Sequence, residues 1–143
     1  MKQLNEVLLV DDDPATNFIH QRVIAKYGFA KNVVEKLNGK EAIDYLGTHN
    51  GDKYPQPELI FLDINMPLMD GWEFLTAYEN LPEDQQAGPV IVMLTTSLNP
   101  SDKERAEGSS IIKGFQNKLL TEAGLDAILA EYYPESLRDN AAV

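Results

Sequence analysis

Three short runs in this chain, VLLV at residues 7–10, LIFL at 59–62 and VIVML at 90–94, contain no polar residue at all. Each has the length of a strand, and successive side chains of a strand point to opposite faces of its sheet, so both faces of these strands must be covered. That pattern belongs to parallel sheets layered between helices. Weaker strand signals lie at residues 32–35 and 113–117, which makes five strands.

Helix-start signals fall between the strands. Asp13 precedes Pro14 and Asn99 precedes Pro100, placing a capping side chain just ahead of a proline at the first helical position. Asn38 with Glu41 and Asp70 with Glu73 have the spacing of a capping box. Thr121 can cap a last helix that carries Leu125, Ile128, Leu129, Tyr132 and Tyr133 on one face. The first helix carries Ile19, Val23 and Tyr27 at fourfold spacing, and Gly108, Ser109 and Ser110 favour an early end to the fourth. Strict alternation of strand and helix implies right-handed crossovers. The expected fold is α/β, a flavodoxin-like (βα)5 doubly wound parallel sheet of order 2-1-3-4-5.

At 143 residues the chain accommodates one core, expected over residues 1–133, with a loose tail at 134–143. With 43% hydrophobic and 24% charged residues, general disorder is excluded. No apolar run approaches the roughly 20 residues of a membrane span, and no cleavable leader is visible at the N-terminus, so a cytoplasmic location is expected. There is no cysteine, hence no disulfide, thiolate metal site or cysteine nucleophile. A net charge of −11 disfavours nucleic acid and anionic membrane as partners and suits a basic protein surface or a metal cation.

Ligands of open α/β sheets gather beyond the carboxyl ends of the strands. The residues found there are Asp11, Asp12 and Asp13 after the first strand, Asp63 and Asn65 after the third, Thr95, Thr96 and Ser97 after the fourth, and Lys118 after the fifth. Asp13, directly before Pro14, reads as a helix cap. Carboxylates from two strands with a carbonyl and waters suit Mg²⁺, and magnesium beside a carboxylate suits phosphoryl transfer, with Asp63 as the nucleophile and a hydroxyl and a lysine for the remaining oxygens. Taken singly, each has a plainer reading: strand-end aspartates cap turns, threonines populate strands, and most lysines are solvated. His20 and His49 have no partner spacing and are expected on helix surfaces or at a helix end, without a role.

Taken in order, VLLVDDDP, FLDINMPLMDGWEFL, VMLTTS and GFQNK resemble the receiver domain of two-component response regulators, and the likeness runs from about Val7 to Tyr132. DINMPLMDG is its most specific part. The resemblance implies phosphoryl transfer to Asp63 from a phosphohistidine on a sensor histidine kinase or a histidine phosphotransfer protein. It implies Mg²⁺ held by Asp12, Asp63 and the backbone carbonyl of Asn65, with Asp11 acting through water. It makes Thr95 the switch hydroxyl, Phe115 the aromatic switch position and Lys118 the signature lysine, with Lys113 as a rival for the lysine. The chain departs from the family at Leu119, where proline is usual, and a trans bond is expected there. Phe115 replaces the more usual tyrosine. No DNA-binding segment is read from the sequence, so the expected mode is a stand-alone receiver that contacts an effector protein or relays the phosphoryl group, not an enzyme in its own right beyond assisting its own phosphorylation and dephosphorylation. A magnesium-dependent phosphohydrolase would need a second acid where Asn65 stands. A receiver-like module that binds without phosphorylation is the alternative.

Overall fold

The structure, a computed structural model, describes residues 3–48, 54–86, 90–95 and 100–136. Five strands, β1 (Leu4–Val10), β2 (Ala30–Lys36), β3 (Leu59–Asp63), β4 (Val90–Thr95) and β5 (Ile112–Asn117), alternate with five helices, α1 (Pro14–Tyr27), α2 (Gly39–Leu46), α3 (Gly71–Glu79), α4 (Pro100–Glu107) and α5 (Glu122–Tyr132). The strands form one parallel sheet in the order β2-β1-β3-β4-β5, as the alternation implies. A single 3₁₀ turn at Pro134–Ser136 follows α5 and buries Ser136.

The uninterrupted apolar runs divide by their period of two. Leu8, Val10, Ile60, Leu62, Ile91 and Met93 face one way and pack with Ala42, Leu46, Phe74 and Tyr78 of α2 and α3. Val7, Leu9, Leu59, Phe61, Val92 and Leu94 face the other way and pack with Ile24 and Tyr27 of α1 and with Leu125, Ile128 and Leu129 of α5. Every residue of β3 is buried, whereas β2, at the sheet edge, has none fully buried. An edge strand needs little apolar surface, which is why the sequence marks only its middle.

The helix starts follow the sequence. Asp13 accepts from the Ala15 N–H at 3.0 Å, Asn38 from Glu41 N–H at 2.8 Å and Thr121 from Gly124 N–H at 3.0 Å. Asp70 and Glu73 complete a reciprocal capping box, but Glu41 reaches back to the N–H of Leu37 rather than to that of Asn38. Asn99 lies outside the described residues. α4 ends at Glu107, with Gly108 donating to the Glu104 carbonyl, so the Gly-Ser-Ser segment does stop that helix early. Its contact with α3 runs through Trp72, which donates to Asp102 at 3.3 Å and lies under the Arg105 guanidinium at 4.4 Å.

One expectation fails on α1. Its buried face is Asn17, His20, Ile24 and Tyr27, while Ile19 is 49% exposed. Of the apolar spacing Ile19, Val23 and Tyr27, Tyr27 is buried and Val23 packs partly against the core, but Ile19 faces out, because two polar side chains occupy the inward positions nearest the strand ends. His20, expected on the surface, is thus in the interior; His49 lies outside the described residues.

Candidate functional site

Strand register builds the site. Val10 of β1 pairs with Leu62 of β3, so Asp11, one residue on, stands level with Asp63, the last residue of β3. Asp63 pairs in turn with Leu94 of β4, and Thr95 pairs with Asn117 of β5, so Lys118 leaves the sheet at the same edge. Oxygen atoms of Asp11, Asp12 and Asp63 lie within 4.8 Å of one another. Asp11 and Asp63 are buried, and Asp12 is exposed.

The ammonium of Lys118 bridges the two buried acids, 3.3 Å from Asp11 and 3.4 Å from Asp63. Lys113 is instead exposed and donates to the Ser110 carbonyl, which decides the geometry between the two lysines in favour of Lys118. The bond from Lys118 to Leu119 is trans, as are all peptide bonds among the described residues. Phe115 is half-buried against the core on the α2 and α3 side. Asn65 is exposed in the loop beyond β3. Thr95 is placed by its backbone at the end of β4; its side chain, and Thr96 and Ser97, lie outside what the structure describes.

Asp11 and Asp13 are held by different partners. Asp11 accepts from the Asp13 N–H at 2.9 Å, and Asp13 turns outward to accept from Thr16 as well as Ala15. The Asp11 carbonyl accepts from the buried side-chain amide of Asn17 at 3.0 Å. Beyond β3 the chain doubles back tightly: Gly71 donates to the Ile64 carbonyl at 2.7 Å, and a Cβ on Gly71 would stand 2.6 Å from the Asp63 carbonyl oxygen. Only glycine allows α3 to begin so close to the residue that carries the site's central carboxylate. Leu68, in the same loop, takes a φ of 66° with 82% of its surface exposed.

The electrostatics follow from crowding. Burial pushes the Asp63 carboxyl above its ordinary value of 3.8, the charge of Asp11 adds to this, and Lys118 offsets it in part. Asp11 is raised in the same way, chiefly by burial, against the opposing Asp13 N–H and Lys118. Burial alone would lower Lys118, but the two acids beside it outweigh that and raise it. His20 is lowered, first by burial, so its imidazole is neutral near pH 7. Two buried acids share one ammonium, and the cluster lacks positive charge, which is the condition under which a hard cation binds oxygen ligands. The donor set fits Mg²⁺.

Sequence reasoning located the acids and the lysine. It missed Asn17 and His20, two buried polar residues of α1, of which Asn17 donates to the Asp11 carbonyl. Their spacing of three on an otherwise apolar face was the available signal.

A doubly wound sheet with an acid trio and a lysine at its carboxyl edge defines a class, the α/β domains that handle a phosphoryl group or a hard cation at their strand ends. The response regulator receiver domain model matches residues 7–129, and the chain belongs to that family. Receiver domains bind Mg²⁺ through acidic residues and accept phosphoryl groups from histidine kinases; they are in general signalling rather than enzymatic domains. The chain is 34% identical over 105 residues to the "Probable methanogenesis regulatory protein FilR2" of Methanothrix harundinacea, covering 73% of this chain and 66% of that one. It is 31% identical over 122 residues to two-component response regulator 24 of Arabidopsis thaliana, covering 85% and 79%. Among solved structures, a two-component response regulator from Cytophaga hutchinsonii superposes with a TM-score of 0.77 at 25% identity, covering 91% of this chain and 97% of that one. No helix among the described residues is long and apolar enough to cross a membrane.

Proposed function

We propose that this chain is a phosphoacceptor: Asp63 takes a phosphoryl group from the phosphohistidine of a sensor histidine kinase or phosphotransfer protein. A carboxylate oxygen of Asp63 attacks phosphorus, the phosphorus–nitrogen bond of the donor breaks, and its electron pair stays on the imidazole, which takes up a proton. Asp12, Asp63 and the Asn65 carbonyl would hold Mg²⁺, with Asp11 acting through water. Bound there, the cation supplies neutralisation of the phosphoryl oxygens. Lys118 would leave the acids for a phosphoryl oxygen, a move favoured because its ammonium already sits between the two carboxylates. Thr95 would bind a further oxygen, and Phe115 would respond by ring packing, having no hydroxyl to donate. The phosphorylated chain would then contact an effector protein or pass the group to another histidine. It would do so in the cytoplasm as a stand-alone domain over residues 1–133, with 134–143 as tail, and would assist its own dephosphorylation.

The observation that carries this reading is the trio of carboxylates within 4.8 Å bridged by one ammonium. Incubation with Mg²⁺ and a small acyl phosphate, followed by mass spectrometry, tests it. The wild type should gain one phosphoryl group that is labile to base and to hydroxylamine, and Asp63→Asn should gain none; a wild type that stays unmodified overturns the reading.

A further inference from the structure

α4 buries less of itself than any other helix of the fold. Of its eight residues only Ala106 is buried, whereas α5 buries Leu125, Ile128 and Leu129 and α3 buries Trp72, Phe74, Leu75 and Tyr78. One methyl group removes little apolar surface from water, so contacts along its flank decide how firmly α4 lies. Those contacts converge on one residue of α3. Trp72 donates its indole N–H to Asp102 at 3.3 Å, and the Arg105 guanidinium stands 4.4 Å over its ring. Asp102 and Arg105 are three residues apart and so neighbours on one face of α4, which grips the indole at its edge and on its face.

The two halves of this contact differ in freedom. Trp72 follows Gly71, whose N–H donates to the Ile64 carbonyl at 2.7 Å and where a Cβ would meet the Asp63 carbonyl oxygen at 2.6 Å. The indole, 9% exposed, is therefore fixed to the end of β3 that carries Asp63. α4 instead hangs from β4: that strand ends at Thr95, and residues 96–99 are all that separate it from Pro100. A displacement of Thr95 passes through so short a link to α4, and α4 can follow only by moving past a Trp72 that stays in place. Leu75, Thr76, Glu79 and Ser109 line a groove of about 200 Å³ beside the Trp72–Arg105 pair, so Arg105 can leave the ring for water without vacating the core.

We propose that the Trp72–Asp102–Arg105 contact is a latch: it holds α4 against α3 in the phosphate-free protein and opposes the shift of α4 that follows when Thr95 closes on a phosphoryl group at Asp63. The proposal rests on the phosphoacceptor reading for the event that releases the latch; that the latch holds α4 is read without it. A cation over an indole at an exposed site, and a hydrogen bond to a carboxylate, each bias such an equilibrium by about fivefold. A ligand that favours the shifted arrangement then binds more tightly once the latch is weakened, by at most the same factor.

Two substitutions test it. Arg105→Met keeps the aliphatic stem without the cation, and Trp72→Phe keeps a ring without the N–H. The first readout is amide hydrogen exchange across residues 100–107 in the absence of any phosphoryl group or mimic, which should be about fivefold faster in both variants while α5 is unchanged. The second is the affinity for beryllium fluoride, a phosphoryl mimic, at saturating Mg²⁺, which should rise about fivefold in both. The third uses the single tryptophan of the chain: acrylamide quenching of Trp72 in the wild type should at least double when the mimic binds, and should not change in D63N. A contact that only supports the fold would leave both variants binding the mimic equally or more weakly, and that result overturns the proposal, as does quenching in the wild type that ignores a bound mimic. Should W72F fail to fold, R105M, altered at an exposed residue, decides alone. If the wild type binds no mimic and takes no phosphoryl group, the phosphoacceptor reading falls, and the exchange of α4 still decides the latch: an unchanged rate in R105M overturns it.

Discussion

Replacing Asp63 by asparagine keeps the shape of the side chain and deletes one charge from a crowded site. Oxygens of Asp63 and Asp11 lie within 4.8 Å, and at an effective dielectric of about 20 that repulsion is about 3.5 kcal/mol. Lys118, 3.4 Å away, attracts Asp63 by about 5 kcal/mol on the same scale. Asp12 is exposed, so its repulsion is nearer the value in water, about 1 kcal/mol. These pairwise terms cancel to within about 1 kcal/mol, and desolvation decides the sign. Only 7% of the Asp63 side chain is exposed, and burying a carboxylate costs several kcal/mol against about 1–3 for a neutral amide. In the cation-free protein at pH 7, D63N should therefore be more stable by about 2 kcal/mol. Urea unfolding in EDTA would show this as a midpoint higher by about 1 M. Added Mg²⁺ should narrow the gap, because it binds the folded wild type more tightly than the variant. The pH dependence has a definite sign. Asp63 and Asp11 are raised in the fold, so their contribution is fully present below the ordinary 3.8 and is lost as pH rises through the raised values. The advantage of D63N should accordingly be absent in acid and grow toward neutrality. A D63N midpoint at or below that of wild type in EDTA at pH 7 would refute this reasoning.

Lys118→Met removes the single ammonium between two buried acids and should destabilise the cation-free protein by about 3 kcal/mol at pH 7, read by the same urea titration; Asp63→Asn added to it should recover much of the loss. Gly71→Ala places a Cβ 2.6 Å from the Asp63 carbonyl oxygen, where backbone must move, and should cost about 3 kcal/mol and shift the Asp63 resonances in NMR spectra. Leu68→Asn should raise stability by about 1 kcal/mol in calorimetry, since φ is 66° and the leucine is exposed, and asparagine tolerates that conformation without the chain entropy of glycine. Mg²⁺ affinity should fall as pH is lowered toward the raised range of Asp11 and Asp63, with proton uptake on release measured by calorimetry in buffers of different ionisation heat.

Most of the frame was legible because burial on both faces forces consecutive apolar residues, and a run such as LIFL ending in Asp63 marks both a central strand and its functional end. β2 was legible only in its middle, because an edge strand is half-buried and its sequence is correspondingly weak. Capping residues fixed the starts of α1, α2, α3 and α5 by local hydrogen bonding alone.

The sequence by itself determined the parallel sheet, its order, and the arrival of Asp11, Asp12, Asp63 and Lys118 at one edge, since each depends on short-range patterns of burial and charge. Only the tertiary structure decided which face of α1 turns inward. That outcome depends on the strand ends against which α1 packs: Asn17 is buried where its amide meets the Asp11 carbonyl. A polar residue's burial is set by whether a partner waits for it, and no periodicity in α1 records that partner.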